Sequence, residues 1–215
     1  MMATWKVAPA LAWGNTVVLK PAEDTPTSVT ILGRLAIEAG IPDGVFNVVH
    51  GYGPDSVGSA LTSNPDVDRI TFTGESGTGR IISAAAAKNL IPVSLELGGK
   101  GANIVFDDAD IDKAVDWTFE AIFRNAGQVC LAGSRLYVQR GIYDEFVARY
   151  KEAAEKLVIG DPKDKGTQFS PALASQEHFL KVQSFLTPES LAGGKLVTGG
   201  LGEGWSVLPT IIVDA

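Results

Sequence analysis

The chain has 215 residues and a formal net charge of -7, enough for one large domain or two small ones with a proper core. Hydrophobic residues make up 45% and charged residues 20%, an ordinary globular balance, and the acidic excess disfavours nucleic acid or an anionic membrane surface as a partner. A single cysteine cannot form an internal disulfide and so points to a reducing cytoplasm; no apolar run reaches transmembrane length, no basic leader with a cleavage site is seen, and no residue cluster has metal-ligand spacing.

Met1 to Leu11 reads as the inside of a helix. Asn15-Thr16-Val17-Val18-Leu19-Lys20 follows as a turn residue and a buried β-branched strand. Thr25 before Pro26 has the N-cap and first-turn proline arrangement. Val29, Leu32, Leu35, Ala36 and Ala39 then recur at helical spacing until Gly40 and Pro42 stop the helix. With Val45 to Val49 as the next strand, this is a βαβ unit. The pattern repeats through a short helix (Val57, Ala60, Leu61), a strand Arg69 to Phe72 and an alanine-rich helix running to about Asn89. A strand Pro92 to Leu97 follows, closed by Gly98-Gly99. Such alternation predicts an α/β fold, a mostly parallel Rossmann-like sheet with helices on both faces.

A second α/β region begins near Lys100, so the expected division is residues 1–97 and 98–215. Ala102 to Phe106 is a strand, and Asp107 to Asp110 caps the helix after it. Ile111, Val115, Phe119 and Ile122 line one face of that helix, which runs into Asn125-Ala126-Gly127-Gln128-Val129-Cys130-Leu131-Ala132-Gly133-Ser134-Arg135. A strand Leu136 to Gln139 and an amphipathic helix marked by Ile142, Phe146, Tyr150, Ala154 and Leu157 come next. Asp161 to Gly166 is a charged loop, a helix runs from Ser175 through Leu186, and short strands lie near Lys195 to Thr198 and Val207 to Ile212.

Four stretches could carry chemistry. Cys130 in its small, polar turn is either a nucleophile on a loop or a small buried hydrophobe. Thr73 to Gly79, between strand and helix, could offer backbone N–H groups to a phosphate, although the spacing is neither G-x-G-x-x-G nor a P-loop. Lys20 and Glu23 lie just past a strand's carboxyl end, where a carboxylate and a lysine can hold ribose hydroxyls, or where two charges simply sit in water. Glu96 between two leucines is either a partly buried carboxylate with a raised pKa, suited to general-base work, or an outward-facing residue of an alternating strand.

Trp5-Lys6-x-x-Pro9-Ala10-Leu11, Lys20-Pro21-Ala22-Glu23, Phe72-Thr73-Gly74, Glu96-Leu97-Gly98-Gly99-Lys100 and Gly127-Gln128-x-Cys130 stand in a family's order and at its spacings. In them the chain resembles the NAD(P)-dependent aldehyde dehydrogenase superfamily over essentially its whole length; Leu208-Pro209-Thr210 fits the same pattern. The resemblance implies an incomplete NAD-binding Rossmann-like domain over 1–97 and an incomplete catalytic domain over 98–215. Catalytic residues would be Cys130, forming a thiohemiacetal and then a thioester, and Glu96, activating the hydrolytic water. The Cys130 N–H would form part of an oxyanion hole. Lys20 and Glu23 would hold the adenosine ribose, with Glu23 favouring NAD over a 2′-phosphorylated cofactor. Gly74, Ser76 and Leu97 would complete the cofactor-binding set, and Lys6 would lie near the active site.

The implied substrate is a small aldehyde and the implied assembly a family-type homo-oligomer. Glu75 departs from the family's usual serine, and a carboxylate facing a pyrophosphate would be repelled, so Glu75 is expected to turn away from it. The Glu75-Ser76 pair resembles the branch acting on hydroxymuconic-type semialdehydes. A Pro-Trp-Asn motif, whose asparagine is a second oxyanion donor, a Glu-x-Phe-Gly-Pro motif and the oligomerisation hairpin are expected outside this chain. Losing such a donor typically costs about 100- to 1,000-fold in rate, so the chain alone is expected to be weakly active or inactive. A non-catalytic NAD-binding or interaction module, and an esterase using Cys130 without NAD, are the alternative functions.

Overall fold

Alternating β-branched strands and alanine- or leucine-rich helices fold as their periodicity requires. The computed structural model describes residues 1–214; Ala215, the last residue of the second expected domain, lies outside the described residues. Two compact units divide between Leu97 and Gly98. None of the described helices is long and apolar enough to cross a membrane.

In the first unit, α1 (Met2–Ala12) leads to β1 (Val17–Leu19), α2 (Thr27–Glu38) and β2 (Phe46–Val48). Then come α3 (Val57–Ser63), β3 (Ile70–Gly74), α4 (Ser76–Ala87) and β4 (Val93–Leu97). β1 pairs with β2 and β3 with β4, both in parallel, each pair standing as a two-stranded sheet. The helix expected to be capped by Thr25 starts later. Pro26, itself in helical conformation, is the N-cap residue of α2, and the Thr25 N–H closes a turn onto the Ala22 carbonyl instead.

Register gives the β3–β4 pair two unlike faces. Ile70 and Phe72 with Val93, Leu95 and Leu97 form the apolar face, over which α4 lies. A Cβ on Gly79 would come 2.8 Å from a Leu97 methyl, so a side chain there would displace that leucine. Thr71 and Thr73 with Ser94 and Glu96 form the polar face. The Lys6 ammonium of α1 donates to the Thr71 hydroxyl at 2.7 Å, and Arg69 donates to the Ser94 hydroxyl at 2.7 Å.

The second unit begins with β5 (Ala102–Val105) and α5 (Ile111–Phe123), whose N-cap Asp110 accepts from the Lys113 N–H. A 3-10 turn (Arg124–Gly127), β6 (Arg135–Val138), α6 (Tyr143–Glu155) and α7 (Gln176–Gln183) follow. The last elements are β7 (Lys195–Leu201) and β8 (Val207–Val213), an antiparallel pair with bulges, whereas β5 and β6 are parallel. Val105, Val115, Phe146 and Tyr150 form the core between α5, α6 and the β5–β6 pair, with Phe119, Phe123, Leu136 and Val138 packed against it. Stacked Phe146 and Tyr150 rings lie 5.5 Å apart, and Phe119 meets Tyr150 edge-on. Burial pushes the Tyr150 phenol far above its usual range, and its O–H donates to the Thr118 carbonyl at 2.9 Å. Arg149 of α6 reaches Asp112 of α5 as well as Glu145 on its own helix.

Phe146 is fully enclosed, with 0% of its surface exposed. Phe146→Ala is expected to cost about 3–5 kcal/mol of stability, read as a lower urea midpoint at unchanged slope. A loss within experimental error would show that this aromatic cluster does not hold the second unit together.

Candidate active site

The first unit gathers its candidate residues at the carboxyl ends of its parallel strands, the end at which open α/β folds bind ligands. Lys20, just beyond β1, is half-buried and makes three contacts: to the Pro21 carbonyl at 2.7 Å, the Glu23 carboxylate at 3.0 Å and the Gly51 carbonyl at 3.2 Å. It therefore ties the turn after β1 to the segment after β2. Hydrogen bonding to its own backbone N–H, then to Lys20, holds the exposed Glu23 carboxyl below its usual range. A carboxylate kept charged beside an ammonium suits the two hydroxyls of a sugar and disfavours an added phosphate.

Gly74 ends β3 beside Leu97 of β4, and Thr73 pairs with Glu96 one step earlier. A Cβ on Gly74 would fall 2.5 Å from the Phe72 ring, so a side chain there would displace that ring. Glu96 is exposed, which corrects the partly buried alternative: it projects from the polar face of β3–β4 while its leucine neighbours turn toward α4. The Thr73 hydroxyl oxygen is buried without a hydrogen-bond partner. An unsatisfied buried hydroxyl costs about 1–3 kcal/mol. Sequence reasoning passed over it because threonine is an ordinary strand residue; its orphaned oxygen exists only in the folded pair.

At the turn between β3 and α4, Glu75 is the N-cap of α4. Its Oε2 accepts from the Gly77 N–H at 2.6 Å and the Thr78 N–H at 3.3 Å. The attraction of a carboxylate to the positive end of a helix explains the choice. A Cβ on Gly77 would sit 2.6 Å from that oxygen, so glycine makes room for it. Half-buried Ser76 opens the helix. Glu75 thus occupies helix amides that an anion could otherwise use.

Cys130 belongs to the second unit and Glu96 to the first. The Cys130 thiol is free and exposed, in favour of the loop reading over a buried hydrophobe. It follows a backbone that is uncommon for its residues: Asn125 and Ala126 have φ of 53°, and Gly127 has φ of 74°. Three consecutive left-handed residues reverse the chain at the end of α5. Asn125 Nδ2 donates to the Gln128 carbonyl at 3.2 Å and Gln128 Nε2 to the Asn125 carbonyl at 3.3 Å. On the far side, the Gly133 N–H returns to the Ala121 carbonyl of α5 at 3.1 Å. The 98–101 segment runs alongside: a Cβ on Gly99 would be 3.7 Å from the Cys130 carbonyl oxygen and one on Gly101 3.4 Å from that of Ala132, both ordinary contact distances. A cleft of about 550 Å³, lined by Phe119, Phe123, Phe169, Arg124, Asn125 and Gln128 among others, adjoins this turn.

The lowered Glu23 pKa fixes the sign of a pH effect. Its stabilising contact with Lys20 is fully present above the carboxylate's unfolded pKa and is lost as pH falls through the lower folded value. An NMR titration should show the Glu23 carboxyl resonance moving at lower pH than a solvated glutamate; movement at or above the ordinary value would sink this assignment.

Residues 1–215 match the sequence pattern of the family described as "Aldehyde dehydrogenase family". The 2-hydroxymuconic semialdehyde dehydrogenase of Pseudomonas sp. (strain CF600) is 56% identical over 200 residues, covering 93% of this chain and 41% of that protein. The crystal structure of PnpE in complex with nicotinamide adenine dinucleotide superposes with a TM-score of 0.93 at 44% identity, over 98% of this chain and 44% of that one. An E. coli NADP-dependent enzyme superposes with a TM-score of 0.94 at 48% identity, over 99% and 44%. The chain thus spans less than half the length of these proteins.

Proposed function

The chain belongs to the aldehyde dehydrogenase family, and from that premise we propose that it carries the nucleophile and the cofactor-facing residues of an enzyme that oxidises an aldehyde to a carboxylic acid. The observation that carries the proposal is the exposed Cys130 thiol at the end of a left-handed turn, within a chain that matches the family along its whole length.

In this reading the Cys130 sulfur attacks the aldehyde carbon and forms a thiohemiacetal, whose oxyanion the Cys130 N–H receives. NAD, when bound, supplies the hydride acceptor that turns the thiohemiacetal into a thioester. Glu96 then takes a proton from water, which adds to the thioester carbonyl; the C–S bond breaks, the acid leaves and the thiolate is restored. The balance is one aldehyde, one water and one NAD⁺ to one acid, one NADH and one proton. Exposure of Glu96 supports the last step, because a carboxylate that must meet water cannot be sealed in a core.

Lys20 and Glu23 would orient the adenosine ribose, and the charged Glu23 carboxylate supports NAD over its phosphorylated form. Gly74, Ser76 and Leu97 would border the rest of the cofactor, with Glu75 yielding the helix amides to the pyrophosphate. Lys6, held by Thr71, would lie near the reacting groups. Residues 1–97 would thus act as the cofactor-binding part and 98–215 as the catalytic part. The 56% identity to a 2-hydroxymuconic semialdehyde dehydrogenase supports a semialdehyde as substrate. A cytoplasmic location, where the lone thiol stays reduced, and a homo-oligomer belong to the same proposal.

In the whole enzyme, Cys130→Ser is expected to abolish aldehyde-dependent NADH formation, followed by absorbance; retained turnover would exclude Cys130 as nucleophile. Residues 1–215 alone are expected to form NADH slowly, since both Cys130 and Glu96 are open to water that weakens charge stabilisation. Turnover by these residues alone at the rate of the whole enzyme would overturn that expectation.

A further inference from the structure

We propose that Gln128 is a positioning residue for acyl transfer to Cys130: its carboxamide locks the left-handed turn that aims the thiol and the Cys130 N–H at one carbonyl. The inference rests on the reading of Cys130 as the nucleophile and adds a residue that acts through the turn.

The turn is uphill by itself. A left-handed conformation costs about 1–2 kcal/mol for a residue such as Ala126, so residues 125–127 keep it only where their surroundings over-determine it. Gln128 supplies that determination with both ends of one amide. Its backbone N–H donates to the Asn125 carbonyl at 3.1 Å and its side-chain Nε2 donates to the same carbonyl at 3.3 Å. Its Oε1 accepts the Ala174 N–H at 2.9 Å, from a residue 46 positions along the chain. Among the described residues, this is the only hydrogen bond that ties residues 125–131 to anything outside 121–133.

The far end of that tie is itself fixed. Leu173 is buried and donates its N–H to the Trp205 carbonyl at 2.9 Å, Ala172 bridges to Ser206, and Ser175 caps α7. Gln128 therefore connects a strained turn to a rigid neighbour, two residues before the thiol. Among the described residues, no hydrogen bond takes up the Cys130 N–H, which leaves it for a substrate oxygen. The chemistry requires an amide: a carboxylate at this position could accept from Ala174 but could not donate to Asn125.

The chain's single cysteine permits a test without cofactor. p-Nitrophenyl acetate acetylates the thiol: sulfur adds to the ester carbonyl, the tetrahedral oxyanion collapses, and p-nitrophenolate leaves. Iodoacetamide alkylates the same sulfur by displacing iodide, with no oxyanion to stabilise. In Gln128→Ala and Gln128→Glu, acetylation is expected to fall by about tenfold or more. Alkylation should stay within about threefold of wild type, since displacement of iodide uses no oxyanion donor. Should Gln128→Ala fail to fold by circular dichroism, the isosteric Gln128→Glu decides alone. Unchanged acetylation overturns the proposal, as does an equal fall in both rates, which reports general loosening. A wild-type chain that is alkylated yet releases no nitrophenolate overturns it too. Failure of the nucleophile reading itself shows elsewhere, as NADH formation that survives Cys130→Ser.

Discussion

A helix that stops must find partners for its last carbonyl groups, and the way α5 does so decides where the only thiol goes. The chain leaves α5 through three left-handed residues, runs past Cys130, and comes back so that the Gly133 N–H reaches the Ala121 carbonyl. The loop between is closed at its base, clasped by Asn125 and Gln128, and accompanied by the backbone of residues 99–101. Below it, Phe123 anchors the end of α5 against Tyr150 and Phe169. The exposed thiol thus sits on a loop whose base is closed by hydrogen bonds.

Three carboxylates in the first unit show how local geometry assigns different fates to one chemical group. Glu23 sits beside the Lys20 ammonium and stays charged further into acid than a solvated glutamate. Glu75 meets a helix start and becomes its cap. Glu96 projects from the polar face of a two-stranded pair into solvent. The nearest donors differ among them, and these make one a sugar-binding candidate, one a helix N-cap and one a carboxylate open to water.

Much of this was legible in the residues. The alternation of β-branched runs with helical spacing located the seven α-helices and eight strands of the described residues to within a few positions. The Asp110 cap, the glycine after β3 and the lone cysteine in a polar turn were all visible as local chemistry. Less legible were features that need two distant segments. Thr73 reads as a strand residue until its hydroxyl is enclosed without a partner. Thr71 becomes relevant only when Lys6, 65 positions away, reaches it. Gln128 looks like one polar residue among several until the Ala174 amide arrives. The position of Thr25 before Pro26 suggested a cap, but Pro26 is the residue directly before α2 and no side chain caps the helix.

Short-range rules act on neighbouring residues, so the sequence by itself determined what they govern. It set which segments become helix or strand, where glycine opens a turn, and which side chains have the chemistry of a nucleophile, a base or a ribose ligand. Tertiary structure alone decided orientation and satisfaction. It placed Glu96 outward rather than partly buried, folded Glu75 onto its own helix amides once α4 was formed, and braced the strained turn before Cys130 from a segment 46 residues away. The physical reason is that a hydrogen bond or a buried face depends on what else occupies the space, and the occupants of that space come from parts of the chain that no local pattern connects.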